Sequence, residues 1–191
     1  MTQSQSFITF YTLLLGLGLA VLLTGVANFV RHKRVGEAGP LTILLTVLIV
    51  FEFLSGWAGA DNSFNQVNAD IATLLLPFGT GACYFIAAVL MFPGANETEA
   101  TALETYVTEQ SRTIALLLFV ANALLICAEY GAVRQRFASD PAYFWQFYLP
   151  YNGAILACYA VATESRARRV QLGALTVLLA VYLWVTIGQR V

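Results

Sequence analysis

A chain of 191 residues that is 59% hydrophobic and 11% charged, with a mean hydropathy of +0.71, has the balance of a membrane protein. It does not have that of a soluble globular domain. The formal charge of −1 says little about partners, because its distribution matters more than its sum, but nothing resembles a basic nucleic-acid surface and no nucleic-acid partner is expected. Once the apolar runs are set aside only short loops remain, so residues 1–191 are expected to form a single membrane domain.

Six hydrophobic runs follow one another: Phe7–Val30, Leu41–Ala60, Ile71–Phe92, Thr113–Val133, Tyr143–Thr163 and Val170–Ile187. Roughly 20 apolar residues at about 1.5 Å each cross a hydrocarbon core of about 30 Å. The expected fold is therefore an all-α membrane protein, a bundle of six transmembrane helices.

The N-terminus, MTQSQSFITF, lacks the positive start of a cleavable signal, and the run behind it is expected to be retained. Gly16, Gly18, Ala20 and Gly25 in the first run, with Gly79 and Gly81 in the third, allow helix backbones to approach closely. The second run, PLTILLTVLIVFEFLSGWAGA, is interrupted by one carboxylate, Glu52. Facing lipid at that depth costs several kcal/mol, so Glu52 is expected to face protein, to face a water-filled cavity, or to be protonated. Asp61 and Asp70, with Asn62, Asn65 and Asn68 between them, form either a mildly cation-attracting rim or a plain polar loop.

Pro77 in the third run and Pro150 in the fifth each remove a helical hydrogen bond and should bend their helices. Between the third and fourth runs, ANETEATALETYVTEQSR places Ala102, Leu103, Tyr106 and Val107 near helical spacing. This stretch is either an amphipathic helix or an extension of the fourth span. Cys83, Cys127 and Cys158 lie within runs in no metal-ligand spacing and read as packing residues.

Positive charge sets the orientation. Arg31, Lys33, Arg34, Arg112, Arg166, Arg168 and Arg169 fall on one side; Arg134, Arg136 and Arg190 fall on the other. The first side is expected in the cytoplasm and both termini outside. Trp57, Tyr143, Trp145, Tyr148 and Trp184 then mark the outer interface.

With that threading, the in-span polar groups gather in the non-cytoplasmic half. Glu52, Glu129, Tyr151 and Asn152 are the candidate substrate- or ion-binding residues of a shallow polar pocket, with Gln146 and Pro150 nearby. Each has a plainer explanation. Glu129 can reach the interface or pair with Arg134 or Arg136. Tyr151 and Asn152 can satisfy backbone groups freed by Pro150. Glu52 can be structural, bonded to Tyr151, Asn152 or a tyrosine of the third span.

Absences restrict the chemistry. His32 and Lys33, the single histidine and the single lysine, both sit in the basic loop, which leaves no bis-histidine haem, histidine-rich metal site or in-span Schiff base. No GxSxG, HExxH or GxxxxGK[ST] occurs. No catalytic residue, metal or cofactor is expected, and the chain is not read as an enzyme.

LLLGLGLAVLLTGVANFVRHKR, a second span ending in WAGA, and CYFIAAVLMFP at the end of the third span carry a resemblance. In this first half the chain resembles a group of small uncharacterised bacterial multi-pass inner-membrane proteins. The resemblance implies a bacterial inner-membrane setting and transfers no functional residue.

The expected function is proton- or cation-linked transport or permeation, with Glu52 as the responsive group. The alternative is a non-catalytic accessory or scaffolding subunit of a larger membrane complex. The expected partners are the lipid bilayer and either further copies of the chain, as a homo-oligomer, or a larger complex.

Overall fold

The structure, a computed structural model, describes residues 3–31, 38–64, 71–93 and 103–188. Among these, every regular element is helical. In chain order they are α1 (Gln3–Arg31), α2 (Pro40–Phe64), α3 (Ile71–Leu90), α4 (Leu103–Ala128), α5 (Tyr130–Ser139), α6 (Pro141–Tyr143), α7 (Leu149–Glu164) and α8 (Arg168–Gly188). A π-helical turn, Phe144–Tyr148, joins α6 to α7. His32, Lys33, Arg34, Asn65, Asn68, Asp70, Ala102 and Arg190 lie outside the described residues, as do the side chains of Asp61 and Asn62.

Among the described residues, four stretches are long and apolar enough to cross a membrane: Ile8–Arg31, Pro40–Ala60, Leu103–Ala128 and Arg168–Ile187. Leu75–Leu90 adds a shorter apolar helix. The fifth run, expected as one helix, is built in pieces. Asp140 caps α6 by accepting from the Tyr143 N–H at 3.1 Å, and Pro141 takes the first helical position, where no N–H is needed. Within the π turn the Leu149 N–H reaches back to the Phe144 carbonyl. The local reason is Pro150, which has no N–H for the carbonyl four residues earlier and crowds it sterically, so a wider turn is accommodated.

The acidic lead-in to the fourth run is an extension of that helix. Leu103 and Val107 are buried and Tyr106 packs on the core, so its apolar face is covered by protein. Beyond Ala128 the chain stays in helical register, since the Glu129 N–H donates to Leu125 and the Val133 N–H donates to Glu129, both at 2.9 Å.

The helices α1, α3, α4, α7 and α8 contact one another in that order as an arc, and α2 packs along its inside against α1, α4 and α8. The most buried of the four long candidate spans is α2, which still turns Ile43, Leu54 and Trp57 outward. Glycines set the closest approaches. A Cβ on Gly18 would lie 2.5 Å from the tip of Phe53, one on Gly25 would collide with the Phe92 ring, and one on Gly81 would lie 2.9 Å from Leu14. Gly16 faces open space instead.

At the end of the bundle that carries Arg31, Arg112, Arg166, Arg168 and Arg169, side chains tie the helices together. The Glu104 carboxylate accepts from the Leu41 and Thr42 N–H groups at 3.3 and 3.2 Å and from the Thr42 hydroxyl at 2.7 Å. It therefore caps the start of α2 from α4, and it also pairs with Arg168 of α8. Gly39 is required here, because a side chain would strike Glu104. Nearby, Arg112 donates to the Thr163 carbonyl at 2.7 Å, and Gln171 bridges Ser111 to the end of α7.

Candidate functional site

Glu52 occupies the centre of the polar interior. It is 1% exposed and accepts four hydrogen bonds, each from a different helix. Tyr84 of α3 donates to Oε2 at 2.8 Å. Asn122 of α4, Tyr159 of α7 and Tyr182 of α8 donate to Oε1 at 3.1, 2.5 and 2.6 Å. Asn122 also donates to Leu118 of its own helix at 3.0 Å, which fixes its amide. Buried Tyr11 of α1 approaches one turn beyond Glu52, its hydroxyl 2.8 Å from where a Cβ on Gly56 would stand. The carboxylate faces protein, not lipid, as its cost in hydrocarbon demands.

Every donor around Glu52 is neutral, so its negative form is held by hydroxyl and amide dipoles. A carboxylate offers about four lone-pair sites. Oε1 already serves three donors, whereas Oε2 serves one. Oε2 is thus the oxygen that can take a proton with the network intact.

Glu52 also lines a cleft of about 820 Å³, together with Glu129, Tyr151 and Asn152. The four candidate residues therefore meet in one cavity. Glu129, near the opposite end of the bundle from the Glu104 cap, accepts from Tyr148 at 3.3 Å. Asn152 donates to the Tyr148 carbonyl at 3.0 Å, four residues back in its own helix, and not to the Gln146 carbonyl that Pro150 leaves without an N–H. Tyr151 stacks on Phe147 at 5.9 Å and meets Tyr182 edge-on at 6.4 Å. Neither Tyr151 nor Asn152 has a direct hydrogen bond to Glu52 among those formed by the described residues; the expected tyrosine of the third span, Tyr84, does.

Below Glu52, toward the Glu104 end, the core is apolar: Leu45, Leu48 and Ile49 of α2, Ala115 and Leu118 of α4, and Leu175 and Leu178 of α8 are buried. The Thr42–Glu104 and Ser111–Gln171 contacts lie beyond it. Ten residues of helix separate Glu52 from Thr42, about 15 Å at 1.5 Å per residue. The cleft therefore ends at Glu52.

Sequence reasoning missed Asn122, Tyr159 and Tyr182. The usable signal was depth. A tyrosine well inside a span must give its hydroxyl a partner, whereas interfacial tyrosines reach water. Among the described residues no group of three His, Cys, Asp or Glu side chains is placed to hold a metal ion. The chain matches no protein-family model, no curated protein sequence and no solved structure.

Proposed function

We propose that the chain is a six-span bundle of a bacterial inner membrane, with both termini outside, that carries out proton-linked transport through this cleft. Glu52 is the proton-exchanging group. The observation that carries the reading is a buried carboxylate, without a cationic partner in its cradle among the described residues, lining a cleft and touched by four other helices. Protonation at Oε2 keeps the four donors in place but removes the charge they face, so the bonds from α3, α4, α7 and α8 weaken together and protonation is coupled to helix packing. Glu129, Tyr151 and Asn152 line the route toward it. The apolar layer beneath Glu52 keeps the cleft closed on the cytoplasmic side, as alternating access requires of one of its two states.

Purified protein in liposomes should give a proton flux that Glu52→Gln abolishes while expression and particle size stay normal. Flux unchanged in that variant removes Glu52 from the transport path and with it this reading.

A second reading, an accessory subunit, draws on α1. It is the least buried of the long helices and turns Leu13, Leu17 and Leu23 outward, which suits a neighbouring membrane subunit as well as lipid. Mild-detergent purification from the native membrane should then recover stoichiometric partners. Recovery of the chain alone, or as a homo-oligomer, counts against it.

A further inference from the structure

The lining of the cleft specifies what can enter it. Two carboxylates border it, Glu52 at the floor and Glu129 further along, and no Lys, Arg or His does among the described residues. Its walls present the aromatic rings of Tyr143, Phe147, Tyr151 and Tyr182. The last three form a continuous surface, with Phe147 stacked on Tyr151 and Tyr151 edge-on to Tyr182. Tyr143 already takes a cation on one face, the Arg136 guanidinium 4.1 Å from its ring centre.

We propose that the cleft binds an organic cation, a protonated amine or quaternary ammonium on an apolar body. The inference rests on the reading of the cleft as the working site and names its substrate class. Negative ring faces attract a weakly hydrated cation that an all-oxygen cage would not favour, and the carboxylates add a long-range attraction of the same sign. An inorganic ion would need several free oxygen ligands, and at Glu52 only Oε2, which takes one donor, has capacity left. An anion would meet two carboxyl groups and no cationic side chain among the described lining residues. The volume, about 820 Å³, lies in the range that encloses a drug-sized molecule.

The test is a matched pair of ions. Full-length protein in detergent is titrated with tetraphenylphosphonium and, separately, with tetraphenylborate, an anion of nearly the same shape. Saturable binding of the cation alone is expected. Ser55→Trp, which puts bulk on an exposed lining position, should abolish it, and Glu129→Gln should weaken it by about tenfold. Equal uptake of both ions, no saturable cation uptake, or cation binding indifferent to Ser55→Trp overturns the proposal. Proton flux through the same preparations, with and without Glu52→Gln, separates the two claims. Glu52-dependent flux without cation binding overturns the substrate class and leaves transport standing. Saturable, Ser55→Trp-sensitive cation binding without such flux upholds the cleft as an organic-cation site and removes the transport reading.

Discussion

Three tyrosine hydroxyls and one amide surround Glu52, and their energetic weight depends on the charge they face. A hydrogen bond to an ionised group contributes about 1.5–3 kcal/mol, roughly twice one between neutral groups. Tyr159→Phe removes the shortest of the four and leaves the ring in place, so the loss in stability should fall in that range of about 1.5–3 kcal/mol. Denaturant unfolding of the purified variant measures it; a loss near zero would mean that the hydroxyl does not hold a charge. Glu52 itself was legible in the sequence, because a lone acid in an apolar run has so few tolerable environments. Its partners were not, since Tyr159 and Tyr182 lie 107 and 130 positions away and nothing local pairs them with it.

At the scale of the helix, small residues divide by face. Gly18 and Gly25 are seven residues apart, two turns along one side of α1, and both press on neighbouring aromatic rings; Gly16 faces outward. Gly18→Ala should therefore destabilise the bundle, because Phe53 is itself packed and the backbone of Phe85 stands 3.4 Å away. Gly16→Ala should be neutral or stabilising by up to about 1 kcal/mol, the gain in helix propensity over glycine. Thermal melts of the two variants side by side test this contrast, and equal melting shifts would refute it. The glycines were visible in the sequence as a group, but which of them touch a neighbour depends on the rotation of α1. The fifth run shows a similar limit. Pro150 announced a disturbance, and the structure gave it the form of a π turn ahead of the proline.

Across the whole molecule, charge and contact divide the two ends. The Glu104 cap and Arg168 hold the starts of α2, α4 and α8 together at the arginine-rich end, while Glu129, Arg134 and Arg136 lie toward the other. Under the proposed orientation the cleft opens outside the cell and both termini lie there too. An alkaline phosphatase fused to the C-terminus should be active in a bacterial host and a green fluorescent protein in the same place dark. The reverse pattern would turn the bundle over and open the cleft to the cytoplasm.

The sequence by itself determined that the chain is helical and apolar enough for a membrane, and that Glu52 had to be sheltered. Those conclusions rest on the price of burying charge and backbone in hydrocarbon, which is paid residue by residue and can be read locally. Only the tertiary structure decided that four distant helices supply the shelter, that the four candidate residues share one cleft, and that this cleft stops at Glu52. Such facts depend on how helices rotate and shift against each other, and in an interior as apolar as its surroundings many rotations look alike until shape and hydrogen bonding select one.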